Sequence, residues 1–148
     1  MTVRTPESRF HLANFMRSHL YAALGTMKSG MDILIQEERV QVSQIYGHGG
    51  FFKTPVVGQR IMAAAMSTPV TVMETAGEGG PWGIALLAAY LLEKKEGQSL
   101  GEYLEKEVFA GSAGSRMEPV EEDVRGFEEY MKRFIAGLDV ERLAGKLL

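Results

Sequence analysis

The sequence contains no cysteine, so a disulfide framework, a thiolate zinc site and a cysteine nucleophile are all excluded. Its longest uninterrupted apolar run, Ile84–Leu92, has nine residues, whereas a membrane-spanning helix needs about 18 to 20. Basic residues are not in excess, because 16 Lys and Arg stand against 19 Asp and Glu and the formal net charge is −3. No positive field therefore attracts a nucleic-acid backbone. These absences predict a soluble, cytoplasmic protein with no nucleic-acid or membrane partner.

What the chain does contain is typical of a globular domain with a hydrophobic core. Its 148 residues are 45% hydrophobic and 24% charged, which suits one domain of ordinary size. No repeat array or linker divides the chain. We therefore expect one domain, or part of one, over residues 1–148, with a polar helical tail over residues 98–148.

The first part of the chain has the periodicity of a long helix. Apolar residues recur there at steps of three and four, which places them on one helical face and predicts a helix over Glu7–Gln36. The pair Thr5-Pro6 suits the cap and the first turn of that helix. The alternating segment Val40–Tyr46 then predicts a strand.

A strand, a glycine loop and a helix occur twice in succession. The first loop, Gly47–Pro55, leads into a helix for which Thr54 is the expected cap. The second strand, Pro69–Met73, is followed by the loop Gly77–Gly83 and by a very apolar helix to about Glu93. Parallel strands connected through helices have their carboxyl ends at one edge of the sheet. Both glycine loops are therefore expected at that edge.

Beyond residue 97 the chain becomes polar and acidic, and we expect it to form an outer layer or a lid. The pattern predicts a short helix over Leu100–Val108, a loop over Gly111–Ser115 and a helix over Glu121–Ala136. Two strands are usually too few for a stable sheet. The predicted fold class is therefore α/β, with parallel strands and flanking helices, and the chain is expected to be a truncated fragment of a larger lobe.

The first glycine loop has the chemistry of a ligand-binding loop. Glycines let the main chain approach a ligand, and free N–H groups at a helix start attract negatively charged oxygen. However, Phe52 occupies the glycine position that a Walker loop or a dinucleotide-binding loop requires, so neither motif is present. The pattern by itself fits either a ligand loop or an ordinary glycine turn between a strand and a helix.

Taken together, these segments resemble the carboxy-terminal lobe of the FGGY carbohydrate kinases, especially the pentulose kinases that phosphorylate xylulose or ribulose. Gly49–Pro55, with Gln59 after it, is similar to the family's adenosine motif Gly-Gly-Gly-Ala-Lys-Ser-Pro and its following glutamine. Glu78 and the segment Gly83–Ala89 resemble the acidic residue and the helix start of the family's next motif. The resemblance covers about Thr5–Leu92 well and the tail loosely.

The resemblance implies an actin-like, or ribonuclease-H-like, ATPase lobe that contributes the adenosine side of a cleft for ATP with Mg²⁺. The implied nucleotide-binding residues form two rims of main chain, at Gly49, Gly50, Phe51, Lys53, Thr54, Gly79, Gly80 and Gly83. Phe51 stands where the family often has a third glycine, so its ring either stacks on adenine or blocks it. Gly25 stands where relatives often carry glutamate.

The reaction implied for the whole enzyme is transfer of the γ-phosphoryl group of ATP to a hydroxyl of a ketopentose. The only aspartates are Asp32, Asp123 and Asp139, and none adjoins a glycine loop. We therefore expect no catalytic base in this chain. The resemblance implies ATP or ADP as its ligand, and a sugar substrate only together with a second lobe. We also expect self-association through the apolar surface that the other lobe would cover. The alternatives are a non-catalytic α/β module that responds to nucleotides or binds a protein, and a purely structural α/β domain.

The remaining side chains give weaker signals. His11 and His19 are eight residues apart and His48 is isolated, so no metal site is predicted. Trp82, beside the second loop, either stacks on a base or plugs the helix start.

Overall fold

The computed structural model describes residues 4–74, 79–110 and 114–147. Its elements follow in the order α1 Leu12–Asp32, β1 Ile45–Gly47, α2 Val57–Met66, β2 Val70–Met73, α3 Gly79–Glu93, α4 Leu100–Tyr103, β3 Gly114–Met117 and α5 Glu121–Leu147. π-Helical turns at Ile33–Glu37 and Leu104–Val108 continue α1 and α4. The predicted α/β class is confirmed.

The chain divides into two compact units. The helical unit contains the described residues of Met1–Val42, Ala64–Ser67 and Pro119–Leu148, and the sheet unit contains those of Ser43–Ala63 and Thr68–Glu118. Both predicted glycine loops belong to the sheet unit.

The sheet has three strands in the order β1-β2-β3. β1 and β2 are parallel, with Ile45 opposite Val70, as the strand-loop-helix pattern predicts. β3 is antiparallel to β2, with Met117 opposite Val70. The prediction of a loop over Gly111–Ser115 was therefore wrong for its last two residues, because residues from Gly114 pair with β2 and supply it with a second partner.

The predicted strand Val40–Tyr46 was largely wrong, because the observed strand begins at Ile45. The N–H of Val40 donates instead to the carbonyl of Leu34 at 2.9 Å, and Arg39 has a positive φ of 55°. This turn uses the backbone N–H of Val40, which a strand would have paired. In this protein, the alternation of polar and apolar residues before Ile45 therefore belongs to an irregular segment and not to a strand.

α1 is confirmed as a long helix, but its start was predicted too early. Thr5 closes a turn with Ser8, whose N–H donates to the Thr5 carbonyl at 3.0 Å. The residue that caps the helix is His11, whose Nδ1 accepts a hydrogen bond from the backbone N–H of Asn14 at 3.3 Å. The imidazole therefore has a structural role at the helix end.

α1 and α5 pack against each other in the helical unit through aromatic rings. Tyr21 contacts Phe127 edge to face, with ring centroids 4.9 Å apart, and contacts Tyr130 at 5.3 Å. A Cβ atom added at Gly25 would lie 2.7 Å from Cζ of Phe134. The space of a side chain at position 25 is thus filled by a ring from α5, which gives a physical reason for glycine at this position.

α5 continues to Leu147, well past the predicted end at Ala136. Asp139 and Arg142 form an ion pair at 3.0 Å one turn apart on this extension. No proline follows Ala136 to stop the helix. Of the segments predicted as an outer tail, β3 belongs to the sheet and α5 packs on α1.

Along α2, the chain is buried continuously from Met62 to Met66. Small alanine side chains in this run allow close packing on every side of the helix. Among the described residues, no helix is long and apolar enough to cross a membrane.

Candidate functional site

The first glycine loop leaves β1 at Gly47, where a side chain is excluded. A Cβ atom there would lie 2.5 Å from Cζ of Phe52, so the Phe52 ring packs directly on the backbone. Gly49 has φ 94° and ψ −173°, a conformation essentially restricted to glycine. The chain then makes a 3₁₀ turn over Gly50–Phe52, in which Phe52 N–H donates to the Gly49 carbonyl at 3.1 Å.

Phe51 is half-buried within this loop. Its ring contacts the Phe52 ring edge to face, with centroids 5.4 Å apart and planes at 78°. Its backbone oxygen and its Cδ1 lie against Gly58, where a side chain would collide with them. The Phe51 ring is therefore held by neighbours within the sheet unit, and this packing sets the shape of the loop.

The second glycine segment is helical. Gly79, Gly80 and Gly83 lie in the first turns of α3, so the prediction of a loop was wrong for these three residues. Pro81 and Trp82 lie in the same helix, so the loop prediction was wrong for them too, and Gly77 and Glu78 lie outside the described residues. Backbone N–H groups in the first turn of a helix have no partner within that helix. The start of α3 therefore provides hydrogen-bond donors at the place where we had expected a loop to provide them.

The two glycine segments touch each other. A Cβ atom at Gly79 would lie 2.8 Å from Cβ of His48, so the first loop packs directly on the start of α3. By contrast, a Cβ atom added at Gly49, Gly50, Gly80 or Gly83 would meet no atom within 4 Å. The structure therefore brings the two predicted rims together and leaves main chain on both of them open.

A cleft of about 570 Å³ lies beside this rim, within the sheet unit. Among the residues that line it are Thr54, Val56, Met73, Glu74, Ser115 and Arg116. Of these, only Thr54 was predicted as a site residue. The signal that could have found Met73 and Glu74 is their position at the carboxyl end of a parallel strand, whereas Ser115 and Arg116 depend on the pairing of β3.

The start of α2 forms one wall of the cleft and differs from the prediction. Thr54 does not cap the helix, which begins at Val57. Instead, Val57 N–H donates to the Pro55 carbonyl at 2.8 Å and Val56 has φ 69°. Two residues thus intervene between the expected cap and the helix, and Thr54 stays exposed on the cleft wall.

Gln59, only 5% exposed, ties the sheet together behind the cleft. Its side-chain nitrogen donates to the carbonyls of Val70 at 2.8 Å and of Ser115 at 2.6 Å. Its side-chain oxygen accepts from the Ser115 hydroxyl at 3.1 Å. The amide therefore joins α2, β2 and β3, and its role here is structural.

Arg116 is held at the cleft by two acceptors on its own unit. Its Nε donates to Glu118 at 2.8 Å and its Nη1 donates to the side-chain oxygen of Gln44 at 2.9 Å. Gln44 in turn donates to the Thr71 hydroxyl at 2.5 Å. This chain of polar groups crosses the sheet from β3 to the residue before β1 and fixes the guanidinium in place.

In the described part of the chain, no three His, Asp or Glu side chains form a cluster that could hold a metal ion. Asp32 pairs with Lys28, and Asp139 pairs with Arg142. All three aspartates belong to the helical unit. The sheet unit, which carries the glycine segments, therefore contains no aspartate of its own.

α3 carries two further features. The indole Nε1 of Trp82 is buried and has no hydrogen-bond partner among the described residues. At the other end of the helix, the Tyr103 hydroxyl donates to Glu93 at 2.8 Å, and this hydrogen bond to the carboxylate raises the pKa of Tyr103. The second contact attaches α4 to the end of α3.

Comparison with known proteins identifies a family for the first part of the chain. Residues 1–92 match the C-terminal domain of the FGGY family of carbohydrate kinases. No curated protein and no solved structure matches the chain. The matched segment includes β1, the first glycine loop, β2 and nearly all of α3, and it is more than half of the 148 residues. The chain therefore belongs to the FGGY family of carbohydrate kinases, as a C-terminal domain.

Proposed function

We propose that this chain is the ATP-binding part of a pentulose kinase, with the adenosine of the nucleotide lying on the rim formed by the two glycine segments. The observation that carries the proposal is the open main chain at Gly49, Gly50, Gly80 and Gly83, on segments that contact each other through His48 and Gly79. A backbone without Cβ atoms allows close approach of a ligand. Family membership supports the kinase chemistry.

The residues present fit a nucleotide. Gly49 and Gly50 expose main chain where the nucleoside lies, and the first turn of α3 offers the N–H of Gly80 as a donor, whereas Pro81 has no N–H. Thr54 is exposed beside them and has a hydroxyl for a hydrogen bond to the ribose or the base. In this proposal, Lys53 adds a positive charge at the same rim, which suits an anionic ligand.

In the proposed reaction, ATP with Mg²⁺ supplies the phosphoryl group that passes to the sugar hydroxyl. The described residues hold no carboxylate cluster for a metal ion, so we propose that Mg²⁺ arrives on the phosphates of ATP. This chain binds and orients the nucleoside, and closure against a second lobe excludes water. The base that takes the hydroxyl proton and the pocket for a ketopentose such as xylulose or ribulose are assigned to that lobe.

The test is titration calorimetry of the chain with MgATP and MgADP. We expect binding of both, and we expect Gly80→Leu to abolish it, because a side chain at that position meets no protein atom but occupies the rim. Gly145→Leu is the matched control, since position 145 is also an open helical glycine but lies in the helical unit. Absence of heat with either nucleotide at millimolar concentration would refute the nucleotide site.

A second candidate is a non-catalytic module that responds to nucleotides or binds a protein. It is favoured by the absence of any aspartate from the sheet unit. The coding sequence upstream of this segment in the gene distinguishes the two candidate functions. A reading frame immediately upstream that encodes an Asp-x-Gly-Thr phosphate hairpin supports the kinase, and its absence supports the module.

We also propose that the isolated chain self-associates through α3. This helix is apolar on all sides but has no buried residue, and Ile84 and Leu92 are 71% and 87% exposed. A helix of this kind is normally covered by protein. Sedimentation of the chain should show association that Ile84→Glu reduces, and a monomer at high concentration would contradict this part of the proposal.

A further inference from the structure

α1 has a second apolar face, opposite the one that packs on α5. At 3.6 residues per turn, the buried residues Tyr21 and Gly25 both lie about 160° around the helix axis from Ala23. The face centred on Ala23 repeats at steps of three and four residues. It consists of six residues that we call the outer stripe: Leu12, Met16, Leu20, Ala23, Met27 and Gly30.

The outer stripe is exposed along most of its length. Leu12, Met16 and Met27 are 75%, 53% and 43% exposed, and Ala23 and Gly30 are exposed as well. From Leu12 to Gly30 the stripe is about 27 Å long, at a rise of about 1.5 Å per residue. A contiguous exposed apolar surface of this kind marks an interaction site.

The charged residues of α1 lie on the other side of the helix. Arg17, Lys28 and Asp32 are each about 120° or more around the axis from Ala23, and Lys28 forms an ion pair with Asp32. On a helix that packs by one face only, charged and polar residues cover the opposite face, which contacts water. α1 has the reverse arrangement, which indicates that its outer stripe is also a contact surface.

The two ends of α1 carry charge of opposite sign. Arg4–Phe10, before the helix, contains two arginines and one glutamate, whereas Glu37–Arg39, at the other end, contains two glutamates and one arginine. Arg9, Glu37 and Glu38 are all exposed. Two copies of α1 that pack antiparallel place each basic end beside the acidic end of the other copy, whereas parallel copies place like charges together. The charges therefore favour a second copy of this chain, in antiparallel orientation, as the occupant of the outer stripe.

Antiparallel packing about a twofold axis at Ala23 also gives matching shapes. Residues equally far from Ala23 on its two sides then face each other, so Met16 faces Gly30 of the second copy. A Cβ atom at Gly30 would meet no atom within 4 Å, which leaves space for the methionine side chain. Alanine at the axis lets the two helices approach closely. We infer that the outer stripe is a dimer interface in which α1 packs antiparallel on α1 of a second copy of this chain.

This contact is independent of the self-association proposed for α3 and of the nucleotide site. α1 belongs to the helical unit, whereas α3 and the glycine segments belong to the sheet unit. Ile84→Glu, which reduces association through α3, therefore provides the background for the test. Sedimentation of the Ile84→Glu chain over a range of concentrations should still show a dimer.

In that background, Ala23→Glu should weaken the dimer because the twofold axis brings the two added carboxylates together. The Kd for dimerisation should rise by about a hundredfold or more, as expected for like charges that face each other across an interface. Ala22→Glu is the matched control, because Ala22 is also an exposed alanine of α1 but lies about 100° around the axis from Ala23. It should leave the Kd unchanged. Circular dichroism should show the same helix content for both variants, since glutamate is a good helix former.

Cross-linking tests the orientation, since the chain has no cysteine of its own. In the antiparallel dimer Leu12 faces Leu34, and both are exposed. A short bis-maleimide should therefore link a mixture of the Leu12→Cys and Leu34→Cys chains, each in the Ile84→Glu background. It should link neither chain to itself, because the two identical positions are about 33 Å apart along the helix axes.

Three results would overturn the inference. The first is an Ile84→Glu chain that is monomeric at every concentration, and the second is equal dimerisation of the Ala23→Glu and Ala22→Glu variants. The third is cross-linking of the Leu12→Cys chain to itself, which would show a parallel pair. ADP titrations of the same variants separate this inference from the proposed function, because loss of the α1 dimer should leave the Kd for ADP unchanged.

Discussion

Two glycines of α1 offer a direct test of the packing in the helical unit. Gly25 and Gly30 lie in the same helix, but a Cβ atom at Gly25 would lie 2.7 and 2.8 Å from two ring atoms of Phe134, whereas one at Gly30 would meet nothing within 4 Å. Alanine is favoured over glycine in a helix interior by about 1 kcal/mol. Gly30→Ala should therefore increase the free energy of unfolding by about that amount.

Gly25→Ala should behave differently, because the added methyl group must displace the Phe134 ring. The ring has to move by about 1 Å to restore an ordinary carbon–carbon contact of about 3.5 to 4 Å. Inserting a methyl group into a packed site costs about 1 to 3 kcal/mol. After the gain of about 1 kcal/mol in helix propensity, Gly25→Ala should lower the free energy of unfolding by about 0 to 2 kcal/mol.

The double-mutant cycle with Phe134→Ala isolates this clash. Once the ring is removed, Gly25→Ala should stabilise the chain as Gly30→Ala does, so positions 25 and 134 should be coupled by about 1 to 3 kcal/mol. Urea denaturation followed by circular dichroism measures all four free energies. Equal stabilisation by Gly25→Ala and Gly30→Ala, or coupling below about 0.5 kcal/mol, would refute the packing argument.

Three other predictions concern the sheet unit. Gly49→Ala should lower the free energy of unfolding by about 1 to 3 kcal/mol because of its φ of 94°, whereas Gly50→Ala should change it little; thermal denaturation compares the two. Gln59→Leu should cost about 1 to 3 kcal/mol by leaving two carbonyl groups without their donor, and hydrogen exchange should show lost protection in β3. Glu102 accepts hydrogen bonds from Ser99, chiefly from its backbone N–H, which lower the pKa of Glu102. Its stabilisation of α4 should therefore be present at neutral pH and lost as pH falls through that lowered pKa, below the ordinary glutamate value of about 4.3. An acid titration of Glu102→Gln should lack this component.

The helices and the first glycine loop could be predicted because their signals are local. Apolar spacing of three and four residues marks α1, and a run of glycines after a β-branched segment marks the end of β1. The parallel pairing of β1 with β2 also followed from local order, since a helix lies between the two strands. The family resemblance depends on the same segments, so it can be recognised from the sequence without the structure.

The ends of elements were harder to predict, because several residues compete for each cap. His11 caps α1 although Thr5 has the more suitable side chain, since Thr5 is already engaged with Ser8. Thr54 does not cap α2, because the γ-turn at Val56 intervenes. Which residue forms the capping hydrogen bond depends on the conformation of the residues on either side of the helix start.

The amino-acid sequence by itself determined the helices, the glycine-rich end of β1 and the membership in a kinase family, because each depends on residues close together in the chain. Only the tertiary structure decided that Gly25 makes room for Phe134, that Gln59 joins three elements, and that β3 pairs with β2 and lines the cleft. These contacts join residues far apart in sequence. Their formation depends on shape and on unpaired backbone groups, which leave no periodic pattern in the chain.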